Sequence, residues 1–194
     1  MNKYLVEFIG AFALACIVGL SVAGNFVIIT PILAALTLGL FVYTSGHVSG
    51  VHINPAITIG AWSIGKISTK QAAYYVAAQL LGGALAFVIV RMTYPGFGGV
   101  GGFNLAHFMG EMVGTFFFAY GVASAIYGKA PHDAIGLVVG GSLLLGISFA
   151  ALIGSVGALN PAVAFALGTF NLVYIFAPII GSVLGMQAYK VVAA

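Results

Sequence analysis

The sequence predicts an all-α membrane protein with six transmembrane helices and two re-entrant half-helices arranged as an inverted repeat. Three observations lead to this fold class. Only 5% of the 194 residues are charged and 62% are hydrophobic, whereas a soluble domain carries about 25% charged residues. No charged side chain occurs at residues 8–65 or 134–189. The same asparagine-proline-alanine motif occurs twice, about a hundred residues apart.

The six predicted spans are apolar stretches with roughly the 20 residues that a bilayer-crossing helix needs, at residues 4–22, 27–46, 70–92, 105–128, 134–153 and 171–190. Two further apolar segments, residues 47–69 and 154–170, lie between spans. A helix over 54–64 or 160–170 would rise only about 15 Å, half of the hydrocarbon thickness of about 30 Å. These segments are therefore predicted as half-spans.

An internal duplication explains the pattern. Asn54-Pro55-Ala56 returns as Asn160-Pro161-Ala162, 106 residues later, and Glu7 returns as Glu111, 104 residues later. We divide the single domain, residues 1–194, into repeat one (1–93), a Gly-rich linker (94–104) and repeat two (105–194). Each repeat holds three spans and a half-span, and three is odd. The second repeat is therefore predicted to lie upside down relative to the first.

Each motif reads as the start of a half-helix, because asparagine is a preferred N-cap and proline is favoured at the first helical position. Inversion then brings both amino ends, each with about half a positive elementary charge, to the middle of the membrane. The Asn54 and Asn160 amides would donate hydrogen bonds there. Acceptors would come from the carbonyls of the non-helical residues before each motif, Gly50, Val51, His52 and Ile53 in one repeat and Gly157, Ala158 and Leu159 in the other. This arrangement predicts a passive pore for small uncharged molecules.

The cations predict the orientation. With the amino terminus in the cytoplasm, five of the six cations fall on the cytoplasmic side and only Arg91 falls outside, as the positive-inside rule requires; the five are Lys3, Lys66, Lys70, Lys129 and Lys190. We expect an integral membrane protein of a prokaryotic cytoplasmic membrane, with both termini in the cytoplasm. The scattered cations form no basic patch, so nucleic acid is not an expected partner.

These features resemble the aquaporin, or major intrinsic protein, family over essentially the whole chain. The resemblance rests on the six spans, the duplicated halves, the segment 49–58 (SGVHINPAIT) and the second Asn-Pro-Ala motif. It implies water or small neutral solutes as the cargo, a homotetramer with one pore in each protomer, and no cofactor.

One position departs from the family pattern. Where the family most often has an arginine in the outer constriction, three residues after Asn160, this chain has Val163. The other constriction positions, counted from the motifs without gaps, are Ala34, Ser148 and Gly157. All four are small or apolar. We therefore expect a wide, uncharged constriction, similar to an aquaglyceroporin, that admits glycerol, urea or neutral metalloid acids.

Glu7 and Glu111 leave a second function open. Ionisable residues inside spans are costly and usually functional, so these carboxylates either couple protons in a secondary transporter or accept hydrogen bonds from the irregular loops. Their symmetric placement and the resemblance favour loop support. We expect His52 to bond neighbouring backbone near the pore, and His47, His107 and His132 to lie near span ends. No nucleophile and base are paired, so we do not expect an enzyme, and no side chains have metal-ligand spacing.

Overall fold

The structure is a computed structural model that describes residues 2–26, 29–99 and 103–193. The described residues form eight α-helices and a short 3-10 turn at His132–Ala134. The helices are α1 (Asn2–Ala23), α2 (Thr30–Ser49), α3 (Pro55–Ser63), α4 (Thr69–Thr93), α5 (Leu105–Ile126), α6 (Ile135–Ile153), α7 (Pro161–Ala166) and α8 (Leu172–Val192). Six of them are long and apolar enough to span a membrane. The predicted fold class is therefore confirmed.

Most helix boundaries differ slightly from the sequence prediction, and the largest differences, of three or four residues, are at α2, which also ends at Ser49 rather than residue 46, and at α7. α2 begins at Thr30 rather than residue 27, because Pro31 has no amide hydrogen and suits only the first turn of a helix. α7 stops at Ala166 instead of reaching residue 170. Gly168, with φ of 69°, turns the chain into the left-handed region two residues later, which ends a helix. Residues 27, 28 and 100–102, which fall in the predicted second span and linker, lie outside the described residues.

The alternating spans define two faces of the bundle. We call the face that carries the start of α1 and the end of α8 the terminal side, and the face that carries the end of α4 and the start of α5 the linker side. The Lys66 Nζ lies 4.0 Å from the ring centre of Tyr127, so the loop after α3 meets the end of α5 on the terminal side. The Arg91 guanidinium packs against Phe87 and Phe97 on the linker side.

The two repeats interlock through their half-helices. α3, from repeat one, packs against α8 of repeat two, and α7, from repeat two, packs against α4 and α1 of repeat one. α2 and α6 pack together across the same boundary. Glycines permit the close approaches: a Cβ on Gly83 would lie 3.0 Å from both the carbonyl carbon and the Cα of Ala162. α4 thus touches the backbone of α7 directly at the start of the second half-helix.

Gly83→Ala is expected to destabilise the protein, since the added methyl group would collide with the rigid backbone of Ala162 rather than with a flexible side chain. Overpacking of this kind costs about 1–3 kcal/mol. The measurement is thermal stability in detergent, followed by fluorescence-detected size exclusion after heating. A clear fall in the apparent melting temperature is expected.

Gly141→Ala provides the matched control. Gly141 is also helical, but a Cβ there would meet no atom within 4 Å, and alanine favours helix over glycine. This variant should melt at or above the native temperature. Equal melting of the two variants would contradict the close approach of α4 to α7.

Candidate pore and its central junction

Two cavities lie along the interior of the bundle and meet at one residue. The linker-side cavity has a volume of about 330 Å³ and the terminal-side cavity about 390 Å³. His52 lines both of them. Asn54 and Asn160 line the linker-side cavity close to this junction. The asparagine side chains of the two motifs therefore lie near the point where the two cavities meet.

The two asparagines link the repeats directly. Each caps its own half-helix: the Asn54 Oδ1 accepts the Ala56 N–H at 2.8 Å, and the Asn160 Oδ1 accepts the Ala162 N–H at 2.9 Å. The Asn54 Nδ2 donates to the Leu159 carbonyl at 2.9 Å, while the Asn160 Nδ2 donates to the Ile53 carbonyl at 3.1 Å. An amide NH2 carries two hydrogens, so each asparagine keeps a second donor for a solute.

Pro55 and Pro161 begin the half-helices behind these caps, and Ala56 and Ala162 follow them. All four are buried. They set the helix direction and let the neighbouring helices approach, so only the asparagine of each motif reaches the path.

Glu7 holds the first loop in place. Its carboxylate is fully buried and accepts hydrogen bonds from the Ser49 hydroxyl at 2.7 Å and from the backbone N–H groups of His52 and Ile53 at 3.0 and 2.6 Å. The Gln79 amide completes the set at 2.7 Å. A carboxylate offers about four acceptor sites, so these four donors occupy it.

Glu111 repeats the arrangement in the second loop. It is also fully buried, and it accepts from the Ser155 hydroxyl at 2.6 Å. The backbone N–H groups of Gly157, Ala158 and Leu159 donate to it at 2.9, 3.0 and 2.7 Å. Both carboxylates therefore serve the loops, as the sequence favoured, and neither is among the described residues that line these two cavities.

These hydrogen bonds also orient the loop carbonyls. In a trans peptide the C=O points opposite to the N–H, and the described part of the chain has no cis peptide bond. Each N–H that points to Glu7 or Glu111 thus turns the preceding carbonyl away from the carboxylate. Val51 and His52 line the terminal-side cavity, and Val156, Gly157 and Ala158 line the linker-side cavity. We infer that the carbonyls turned away from the carboxylates border these two cavities.

The loops adopt strained backbone conformations to achieve this. The φ angles of Val51, Ile53 and Leu159 are 48°, 41° and 51°, a region that β-branched and bulky side chains rarely enter. Each such residue costs about 1–3 kcal/mol. Ile53 and Leu159 direct their carbonyls to the opposite asparagine, so these two predicted pore carbonyls bond the protein itself.

His52 belongs to a side-chain network that the sequence did not predict. Its Nδ1 lies 3.2 Å from the Thr58 hydroxyl, rather than bonding neighbouring backbone as expected. Thr58 in turn contacts the Gln79 amide, which also donates to Glu7. Gln79 is fully buried, and the available sequence signal was an amide in the apolar middle of α4, beyond the Gln71 of its first turn. The network fixes His52 at the junction of the cavities.

The constriction positions fall into two groups. Ala34, Gly157 and Val163 line the linker-side cavity, but Ser148 does not. The Ser148 hydroxyl donates to the Leu144 carbonyl within α6 at 2.8 Å. Ile147 lines the cavity instead, and its Cγ2 lies 3.0 Å from where a Cβ on Gly157 would be.

The ungapped count to Ser148 is therefore one residue off. The α6 residues that face the cavity recur every fourth position, at Leu143, Ile147 and Ala151, as one face of a helix does. A branched apolar side chain occupies the place where the sequence predicted a small polar one. The ring remains uncharged.

The other three histidines lie in two different environments. His47 and His132 line the terminal-side cavity, which agrees with their expected place at span ends. The His107 Nδ1 lies 3.3 Å from the Tyr174 hydroxyl. No group of three or more metal-ligating side chains occurs within residues 2–26, 29–99 and 103–193.

The fold and this junction define a class of membrane proteins: six-span bundles in which two inverted half-helices meet between two cavities. The family description "Major intrinsic protein" matches residues 1–189. The chain belongs to the major intrinsic protein family.

Several relatives are similar in sequence. Nodulin-26 of Glycine max is 34% identical over 170 residues, covering 81% of this chain and 62% of that protein. Aquaporin Z of Rhodopseudomonas palustris is 29% identical and covers 99% of this chain and 93% of its own. Aquaporin AqpM of Methanothermobacter marburgensis is 32% identical, covering 77% of this chain and 70% of that protein. The chain thus spans about three-fifths of the plant relative's length and nearly all of the bacterial one's.

A solved structure shares the fold. The aquaglyceroporin from Plasmodium falciparum superposes with a TM-score of 0.78 at 24% sequence identity, covering 100% of this chain and 96% of that one. At this identity the similarity concerns the architecture of the six spans and two half-helices.

Glu111→Gln is expected to destabilise the second loop. A carboxamide has one acceptor oxygen and a donating nitrogen, so at least one of the three backbone N–H groups would face another donor. A buried unsatisfied donor costs about 1–3 kcal/mol. We expect a lower melting temperature in detergent and less water permeability per reconstituted protein. Asp133→Asn, the same change at an exposed carboxylate, should alter neither; identical melting of the two variants would contradict the support role of Glu111.

Proposed function

We propose that this chain is a passive membrane channel for water and small neutral solutes. The observation that carries the proposal is the junction of the cavities, where Asn54 and Asn160 each keep a free amide hydrogen between facing helix amino ends. A neutral solute can accept hydrogen bonds there, while the partial positive charge of the helix ends repels cations. Loop carbonyls on either side accept hydrogen bonds from the same solute.

A proton-coupled transporter is the weaker alternative. It requires a titratable carboxylate in the permeation path, and Glu7 and Glu111 are fully buried behind the loops with their oxygens bonded. Four backbone or side-chain donors converge on each one and hold it in place behind the loop. The absence of either carboxylate from the linings of the two described cavities supports a channel over a transporter.

The uncharged ring supports cargo larger than water. Ala34, Ile147, Gly157 and Val163 surround the linker-side path without a charged group. Glycerol, urea and neutral metalloid acids are the candidate solutes. The names of relatives, aquaporin in bacteria and archaea and aquaglyceroporin for the structural neighbour, agree with a channel of this kind.

The same proposal covers location and assembly. The lysines of the terminal side favour a cytoplasmic location for both termini, in a prokaryotic cytoplasmic membrane. Large apolar side chains are exposed on the long helices, among them Leu36, Leu85, Leu137 and Leu184, and suit contact with lipid or with further copies in a homotetramer. We propose no enzymatic activity for the chain.

Stopped-flow light scattering on proteoliposomes tests the channel and its width. Native protein should raise both water and glycerol permeability above protein-free liposomes. Val163→Arg should keep water conduction and lower glycerol permeability by about tenfold or more, because the guanidinium fills the ring and adds a fixed charge. Val163→Met controls for side-chain length without charge and should retain more glycerol flux. Water flux without glycerol flux in the native protein would contradict the wide ring.

A second measurement separates the channel from the transporter. Glycerol flux through native proteoliposomes should rise linearly with concentration and should not change when a protonophore is added, since no proton movement is coupled to it. Flux that saturates and collapses with the protonophore would overturn the channel and favour proton coupling through Glu7 or Glu111.

A further inference from the structure

The linker-side cavity offers a solute many hydrogen-bond acceptors and few donors. Val156, Gly157 and Ala158 contribute carbonyls to its wall, turned away from Glu111 by the hydrogen bonds described above. Most of the other lining side chains are apolar, including Leu14, Val18 and Leu38. The described wall therefore combines backbone carbonyl acceptors with apolar side chains.

The hydroxyl groups of Ser155 and Thr30, which line this cavity, and of the neighbouring Ser21 have already used their hydrogens. Ser155 donates to Glu111 at 2.6 Å. Thr30 and Ser21 bond each other at 2.8 Å, and both lie within reach of backbone carbonyls: Thr30 contacts the Phe26 carbonyl at 3.2 Å and Ser21 the Val18 carbonyl at 3.0 Å. A hydroxyl has a single hydrogen. Neither hydroxyl of this pair therefore keeps a free hydrogen to donate to a solute.

Four backbone N–H groups of this loop are also occupied. That of Ser155 donates to the Ala150 carbonyl, and those of Gly157, Ala158 and Leu159 donate to Glu111. Among the described lining residues, donors return at the junction, where His52, the Asn54 and Asn160 amides and the amino ends of α3 and α7 lie. A solute thus crosses the ring of Ala34, Ile147, Gly157 and Val163 before it reaches a donor.

We propose that the linker-side half of the pore selects against solutes that carry a carbonyl oxygen and favours hydroxylated solutes of the same size. This inference rests on the proposed channel function and ranks its candidate solutes. The N–H groups of urea or acetamide find acceptors on the wall, but the strongly accepting carbonyl oxygen faces apolar side chains without a donor. A diol donates both of its hydroxyl hydrogens to the carbonyl row and leaves only weaker acceptor sites unpaired.

The size of the effect follows from the cost of one unmet acceptor. Leaving a buried polar group without its partner is unfavourable by an amount that far exceeds thermal energy. We expect channel-mediated permeability to urea and to acetamide to be about tenfold below that of ethylene glycol, which corresponds to about 1.4 kcal/mol. The three solutes have the same number of non-hydrogen atoms, so differences in size do not explain such a ratio.

The test measures the swelling of native proteoliposomes in gradients of ethylene glycol, urea and acetamide, with the rates of protein-free liposomes subtracted. Water permeability is recorded on the same preparation. Absent water and solute flux would overturn the proposed channel itself. Water flux with equal permeability to the three solutes, or with urea or acetamide ahead of ethylene glycol, would overturn only the selectivity proposed here.

Adding a donor at the ring should remove the discrimination. Val163→Thr replaces a methyl group by a hydroxyl of similar volume on a residue that lines the cavity, so the ratio of ethylene glycol to urea permeability should fall severalfold. The threonine hydroxyl is able to bond backward within its own helix. Val163→Asn, whose side-chain amide brings two N–H donors without a long side chain that fills the ring, is therefore measured beside it.

Both variants are compared with Val88→Thr, the same substitution at a residue of α4 that is 48% exposed on the outside of the bundle. Val88→Thr should keep the native ratio. A ratio that stays at the native value in both Val163→Thr and Val163→Asn, while water still flows, would overturn the proposal.

Discussion

Two buried carboxylates make it possible for the backbone to be non-helical at membrane depth. Hydrocarbon supplies no hydrogen bonds, so irregular backbone at membrane depth persists only where protein groups or a cavity satisfy it. Glu7 and Glu111 take up the N–H groups of the loops before α3 and α7. Everything else at the centre depends on this: the left-handed backbone, the orientation of the carbonyls and the position of the two caps.

The hydrogen bonds between repeats turn two broken segments into one junction. Asn54 bonds Leu159 and Asn160 bonds Ile53, so each asparagine caps its own half-helix and ties down the loop of the other. The half-helices also pack into the opposite repeats. Neither repeat can form its half of the path alone, because the carbonyl that orients each asparagine comes from its partner repeat.

The chemical consequence is a separation of donors and acceptors along the path. Buried carboxylates consume the N–H groups of the loops, which leaves carbonyls toward the cavities and donors at the centre. Val163 adds no hydrogen-bond donor beside the second motif, which makes this separation more complete on the linker side. Because the ring itself carries no charge, cations are excluded at the centre of the path, by the partial positive charges of the helix amino ends.

The local signals in the sequence were sufficient for much of this description. Asn-Pro-Ala specifies a helix start through the chemistry of three adjacent residues, and the charge-free runs specify spans through the cost of burying charge in lipid. The duplication and the odd number of spans then gave the inversion. Where the prediction failed, the determinant was not local: Ser148 was assigned by counting, but the rotation of α6 against its neighbours puts Ile147 on the cavity wall.

By itself the sequence determined the spans, the half-helices, their inverted relation and the uncharged ring residue beside the second motif. Only the tertiary structure decided which donors meet which acceptors. Gln79 and Thr58 join His52 from separate helices, and each asparagine bonds a carbonyl more than a hundred positions away along the chain. Such pairings depend on how the helices pack in three dimensions, a property that residue spacing along one chain does not encode.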